Sequence, residues 1–497
     1  MSLKLDDAPS RGGRHKGSNE RVVLSLRAKI GAVLDSGDVR GPSRLKLEEV
    51  ADSLLMLELD LSKSRVTATT GLGRLHLQTI CAPDRSVSRE VDAHHAALAR
   101  VFSERNDSAA EWNMSTPKKA TNTSLRPRFS TEELDDLRKV VLQHEIARAV
   151  LEDVGKLRFD TFKFTSIPEV ARSPITMLFS LLESKGHLLK DLLEGGQITE
   201  TKLLRGRLSS FMSLIDGNYK NVPYHNQIHG ADVMMTIDWM FRSTYVQEHM
   251  TTLDHLMSLV AAAIHDVGHL GTNNFFQINT MSDAAITYND KSVLENMHVS
   301  MAFDLMRQDQ ESNWFELLET GNQRTYIRRG LVHMVLATDM AKHAKHVDQL
   351  RSFVEETEEH MEVSHETEEQ HRMHALEKKT FLLETLLHAA DISNSAKPPH
   401  LMLRWTERIL EEMWCQGDQE VSLGLPISPL CNRATDSLIV PRGQVGFITF
   451  VVQPLFKPLA SLIEEIQEAT DQLERNKDFW LQKDKEGAMM ADLIGPP

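Results

Sequence analysis

Apolar residues recur at helical spacing through most of this chain. Leu47, Val50, Leu54, Leu57 and Leu61 fall three and four residues apart, and Arg21–Leu34 is another apolar stretch in the first hundred residues. Asn, Ser, Thr, Pro and Lys then dominate 106–130, a linker composition. Ser130-Thr131-Glu132-Glu133 has the form of a helix start, and helical periodicity continues from there to about residue 485. Strand-like alternation is rare, and no repeat of about 20–50 residues is visible. The pattern predicts an all-α fold. One large compact multi-helix domain spans 131–497, with its motif-bearing core at about 150–485. A partly flexible N-terminal region, 1–130, precedes it, and its first twenty residues read as a flexible tail. The N-terminal apolar helices offer a pairing surface for a homodimer. The Glu-rich stretch 353–371, with interspersed His, reads as a solvated helix face.

Composition narrows the function. Hydrophobic residues make up 41% and charged residues 26%, which supports a sizeable core and excludes wholesale disorder. The net charge of −15 argues against a general binder of nucleic acid, whose affinity rests on Lys and Arg contacts to phosphate. A small anionic substrate stays open, because bound metal supplies positive charge locally. Cys81, Cys415 and Cys431 are the 3 cysteines, too few and too scattered for a disulfide framework or a thiolate zinc site. They point to a reducing, cytoplasmic location. No apolar run of the ~18–20 residues a membrane helix needs stands out, so no transmembrane segment is expected. The N-terminus has no signal-peptide core. The 22 histidines are the unusual count, and they cluster.

Three clusters carry chemistry. In Tyr224-His225-Asn226-Gln227-Ile228-His229-Gly230-Ala231-Asp232, His225 and His229 lie one helical turn apart, so one can bind a metal while the other reaches a substrate on it. In His265-Asp266-Val267-Gly268-His269-Leu270-Gly271-Thr272-Asn273-Asn274, an apolar segment runs straight into His-Asp. Such a buried polar pair needs a cation or hydrogen bonds, and Gly268 and Gly271 permit φ > 0 or close backbone approach. In His388-Ala389-Ala390-Asp391-Ile392-Ser393-Asn394, another apolar helix ends on an acid. His229, His265, Asp266 and Asp391 make a two-imidazole, two-carboxylate set suited to Zn²⁺ or another borderline divalent metal, with positions left for water. Asp266 can bridge to a second, harder ion, Mg²⁺ or Mn²⁺. Two metal ions sharing a water would supply hydroxide near neutral pH and suit phosphoester hydrolysis. Glu295 and His298 fall near one another on a helix. Asp339 and His343, four apart, read as a hydrogen-bonded orienting pair.

YHNQIHGADV, HDVGHLGTNN, NDKSVLENMH, LATDMAKH, HAADISN and QVGF occur in this order. Together they resemble the signature elements of the class I cyclic nucleotide phosphodiesterases, a branch of the HD-type metal phosphohydrolases, over about 150–485. The resemblance implies that His225 is the general acid protonating the O3′ leaving group. His229, His265, Asp266 and Asp391 would hold the first metal. His269 and Glu295 would orient the hydroxide and waters, with Asn274, His298 and Thr338 supporting them. Gln444 would hydrogen-bond the purine edge, and Phe447 and Ile409 would clamp the base. Tyr224, Met340 and Asn394 would line the same pocket. The implied substrates are cAMP and/or cGMP, leaning to cAMP because Asn394 and Gln444 can pair with the adenine edge. Gly230 departs from the usual Ala or Ser of the family and is expected to loosen its helix slightly. An HD-type hydrolase of acyclic phosphates and a non-catalytic scaffold are the rival readings. Turnover of cAMP beside cGMP separates all three.

Overall fold

The computed structural model describes residues 131–198, 200–359 and 368–494. The flexible tail, the Leu47–Leu61 stripe, the 106–130 linker and the homodimer surface lie outside the described residues. By its contacts the chain divides into two units, Met1–Asn113 with Glu366–Leu376 and Met114–His365 with Glu377–Pro497. The second carries every motif.

The expectation of an all-α fold is met: among the described residues there is no strand, and Ile198 and Leu318 form an isolated bridge. The helices that position the site are α1 (Pro174–Gly186), α2 (Thr201–Asn218), α3 (Gln227–Phe241), α4 (Thr252–Ile264), α5 (Asn274–Asn279), α6 (Val293–Gln308), α7 (Gly321–Ala337), α8 (His343–Glu359), α9 (Glu368–Asp391), α10 (Pro399–Ser422), α11 (Val440–Phe447), α12 (Gln453–Leu462) and α13 (Gln467–Glu486). The acidic stretch runs from the end of α8 into the start of α9, and its centre, 360–367, lies outside the described residues.

α3 and α4 form the middle of the molecule. Every residue of α3 from His229 to Phe241 is buried, and so is nearly all of α4. A helix apolar all round must be enclosed by others. Accordingly α3 packs on α1 and α4, α4 on α7, and α7 on α6. Thr251 starts α4 with a capping box, trading hydrogen bonds with Asp254. α11 packs on α13, which in turn packs on the turn Ser393–Ala396 after Asp391. That chain of contacts places QVGF on the same side as the last acid.

Two expectations change. Val440–Leu462, 23 residues containing an 18-residue window of mean hydropathy 1.5, is long and apolar enough by length and composition to cross a membrane. Pro441, Arg442, Gln444 and Lys457 break it up as a written sequence, which is why it did not stand out. It consists of α11, a π-helical segment Ile448–Val452 and α12, and Val440, Ile448, Val452, Leu455, Phe456 and Leu459 join the core. Gly230, in turn, is set by packing and not by helix propensity alone. A Cβ there would lie 2.8 Å from the Tyr219 hydroxyl and 3.0 Å from Ile175 Cδ1. Tyr219 occupies that space and donates a hydrogen bond to Ala263 O at 3.0 Å, two residues before His265.

Gly230→Ala therefore gains roughly 1 kcal/mol of helix propensity but overpacks the contact by about 1–3 kcal/mol. The expected result is a lower thermal midpoint. The loss should shrink in a Tyr219→Phe background, where the closest atom is gone. Equal losses in both backgrounds, read by calorimetry, would place the conflict elsewhere.

Candidate active site

Local structure delivers each side chain. Asn226 caps α3, its Oδ1 accepting from Ile228 N at 2.9 Å while Nδ2 donates to Val222 O at 2.8 Å. This sets His225 just before the helix and His229 in its first turn. α4 ends at Ile264, and the chain turns away through Gly268 and Gly271, at φ 81° and 74°, as their expected freedom requires. His265 Nδ1 donates to Ala262 O at 2.8 Å, so the neutral ring presents its lone pair on Nε2. α9 ends on Asp391.

The four expected ligands converge, with one donor atom from each lying within 4.8 Å of the others. His229 Nε2 is 3.2 Å from His265 Nε2, 3.4 Å from Asp266 Oδ2 and 3.0 Å from Asp391 Oδ1. His265 Nε2 is 3.2 Å from Asp266 Oδ2 and 3.4 Å from Asp391 Oδ1. Ligands about 2.1 Å from a divalent ion stand roughly 3.0–3.4 Å apart when they flank it at 90–110°. Asp266 Oδ2 is buried without a hydrogen bond, an expensive state for a carboxylate oxygen unless a cation faces it. The donor set fits a divalent metal on both counts. Burial alone would raise Asp391, but His229 and His265 hold it well below the usual carboxylate range.

The expected acid, His225, is held by a residue that sequence reasoning missed. Glu412, buried on α10, pairs with His225 Nδ1. Its other oxygen accepts from Tyr224 N at 2.8 Å and His225 N at 3.0 Å. The signal was present: Leu401, Trp405, Glu412 and Gln416 share the buried face of α10, and an acid on an apolar stripe needs a partner. Burial opposes a charged His225, yet Glu412, Asp266 and Asp391 outweigh it and lift His225 to about 9. Glu412 is pushed the other way, to about 2, as His225 and His269 overcome its own burial. His269 stacks on His225 with ring centroids 4.0 Å apart, and its Nδ1 accepts from Gly271 N at 3.0 Å. Burial and the His225 charge keep His269 well below the usual histidine range.

The supporting residues divide into two groups. Asn274 Nδ2 donates to both Glu295 oxygens at 3.1 Å, and its Oδ1 accepts from Leu294 N at 2.9 Å, fixing Glu295 at the start of α6. Burial, then the Asp339 charge, raise Glu295 to about 7. His298 Nδ1 donates to Val267 O at 2.8 Å, and its Nε2 is 3.7 Å from Asp266 Oδ1. Thr338, by contrast, donates to Val335 O at 2.8 Å and closes α7. Asp339 and His343 do not pair with each other as expected. Asp339 accepts from Ser292 Oγ at 2.7 Å, and His343 Nδ1 meets His388 Nε2 at 2.8 Å. The break between α7 and α8 points the two side chains to different partners.

Of the pocket residues, Asn394 Nδ2 donates to the Tyr224 hydroxyl, and Ile409 packs against the small apolar group of Phe162, Tyr224, Leu401 and Trp405. Gln444 and Phe447 are half-buried on α11, and Met340 is exposed. No hydrogen bond, ion pair or ring contact among the described residues links these three to the metal cluster.

The model of the family described as 3'5'-cyclic nucleotide phosphodiesterase matches residues 224–473. The chain is 36% identical over 375 residues to 3',5'-cyclic-AMP phosphodiesterase 4C of Rattus norvegicus, covering 73% of this chain and 63% of that protein. It is 40% identical over 298 residues to dual specificity calcium/calmodulin-dependent 3',5'-cyclic nucleotide phosphodiesterase 1C of Mus musculus, covering 58% of this chain and 39% of that one. It thus spans less than two thirds of the length of either relative. The structure of LmjPDEB1 in complex with IBMX matches with a TM-score of 0.60 and 27% identity, over 71% of this chain and 98% of that one.

Proposed function

Because the chain belongs to the 3',5'-cyclic nucleotide phosphodiesterase family, we propose that it hydrolyses 3',5'-cyclic nucleotides to 5'-monophosphates, with cAMP the preferred substrate and cGMP the second. The observation that carries this reading is the convergence of His229, His265, Asp266 and Asp391 beside His225, whose ring centroid lies 5.7 Å from that of His229. The activity belongs to 131–497, and a cytoplasmic location goes with the free thiols of Cys415 and Cys431.

Zn²⁺ would be held by His229, His265, Asp266 and Asp391, and Mg²⁺ or Mn²⁺ by Asp266 beside it. Bound there, such ions supply hydroxide at neutral pH and offset charge on the phosphoryl oxygens. The rest falls to the chain. Glu412 occupies His225 Nδ1, so the proton available for transfer is on Nε2, which has no protein partner among the described residues. As water oxygen adds to phosphorus and the P–O3′ bond breaks, His225 gives that proton to O3′, leaving a 3′-hydroxyl and a 5′-phosphate. His269, Glu295 and His298 orient water around the cluster, with Asn274 steadying Glu295 and Thr338 closing the adjoining helix.

Phe447 and Ile409 flank the base, with Tyr224 and Met340 completing the walls. Asn394 supports the lean to adenine: one Nδ2 hydrogen goes to Tyr224, and Oδ1, which accepts from Ser395 Oγ at 3.4 Å, keeps a second lone pair for the adenine amino group. The Gln444 amide makes no hydrogen bond among the described residues and is free for the purine edge. Gln444→Ala should lower kcat/KM by about 5–150-fold, the loss of a buried hydrogen bond of about 1–3 kcal/mol. Unchanged steady-state kinetics would place the base elsewhere.

The direct test is turnover by the purified protein of cAMP and cGMP, with and without a chelator. Chelator-sensitive release of the 5'-monophosphate, faster from cAMP, is expected. Faster hydrolysis of an acyclic nucleotide phosphate would favour the HD-type rival, and no turnover of any would favour a scaffold.

A further inference from the structure

Asp232 ends the first motif, yet neither the metal cluster nor the acid uses it. It is 3% exposed, and its Oδ1 accepts from Lys397 Nζ at 2.8 Å and from Thr161 Oγ1 at 2.6 Å. Lys397 is fully buried and reaches Thr236 Oγ1 at 3.3 Å as well. Taking an ammonium and a carboxylate out of water costs several kcal/mol per ion, and replacing such a pair with apolar groups is often neutral or stabilising. Stability is therefore a poor account of this pair, and its position suggests another.

Asp232 lies three residues after His229 on α3, and Lys397 lies six residues after Asp391. The ion pair crosses the same seam that His229 Nε2 and Asp391 Oδ1 cross at 3.0 Å. Ser393 Oγ and Thr236 Oγ1, 3.4 Å apart, make a second tie over it. Lys397 is itself anchored from α13, where Asn476 Nδ2 donates to Ser395 O at 2.7 Å and Lys397 O at 2.8 Å. The turn after Asp391 is thus clamped on one side to α3 and on the other to α13.

We propose that Lys397 and Asp232 are positioning residues that hold the Asp391 turn against α3, so that His229 and Asp391 stand at coordination distance before a metal arrives. The inference rests on the reading of that cluster as a metal site. A ligand set assembled in advance loses less conformational freedom on binding, so the pair acts on metal affinity without touching metal.

The test is zinc affinity of the full chain, measured by competition with a chromophoric chelator, with circular dichroism and thermal midpoint as folding controls. Lys397→Met alone leaves Asp232 buried and unpaired, which risks the fold. The Asp232→Asn, Lys397→Met double variant removes both charges and should keep a near-native thermal midpoint. It should still bind zinc about 10–100-fold more weakly, the usual effect of losing a group that orients ligands. Wild-type affinity in the folded double variant would overturn the positioning role. So would outright unfolding of the double variant, which would make the pair an element of stability alone. Failure of the unaltered protein to bind zinc would defeat the metal-site reading itself, a separate outcome.

Discussion

Replacing His225 with Asn should lower kcat on cAMP about 10²–10⁴-fold, the usual contribution of general acid catalysis, while bound metal stays in place. His225 lies next to His229, ring centroids 5.7 Å apart, but makes its own hydrogen bond to Glu412 rather than to the cluster. A p-nitrophenyl phosphodiester separates proton donation from positioning, because its leaving group needs little protonation. The variant should lose much less rate on it; equal losses on the two substrates would make His225 a positioning residue. The pH profile follows from the same geometry. Against its burial, Glu412 holds His225 protonated above the usual histidine range, so activity should hold through neutral pH and fall as pH rises past that raised value. Glu412→Gln removes a carboxylate that raises His225 against the cost of burial, so the alkaline limb should move to lower pH. A limb that stays where it was would show that another group sets it.

Asp391→Ala and His265→Ala should each abolish turnover and bring bound zinc below stoichiometric. Each removes one of four donors: Asp391→Ala also takes its contacts on His229 and His265, and His265→Ala those on His229, Asp266 and Asp391. Metal that binds only the folded state raises the thermal midpoint by mass action, so the rise seen on adding zinc should shrink in both variants. Metal content by elemental analysis is the deciding measurement. Either variant with full zinc and near-normal turnover would remove that residue from the ligand set.

The candidate ligands and the candidate acid were legible in the sequence because metal coordination demands particular residue types at particular spacings. His225 and His229 were marked by their four-residue spacing, although His225 falls just before α3 and not on it. His265-Asp266 and Asp391 were marked by apolar helices ending abruptly on groups too polar to bury alone. The helical class followed from periodicity in the same way, although averaging over Val440–Leu462 hid an apolar run behind its prolines and charges.

What tertiary structure decided was which side chain meets which. Glu412 stands 187 residues from His225, Lys397 165 from Asp232, and Tyr219 44 from the Ala263 carbonyl it bonds. Spacing along one helix says nothing about the face a distant helix turns toward it. An acid on the apolar side of α10 signalled only that some partner was needed. Asp339 and His343 show the converse: four residues apart, they were read as a pair, but the chain breaks between α7 and α8 and their bonds go to Ser292 and His388. Covalent spacing fixes a neighbour only where the helix is continuous. Across a seam, the neighbour is set by how the helices pack, and burial then obliges each polar group to find its partner there.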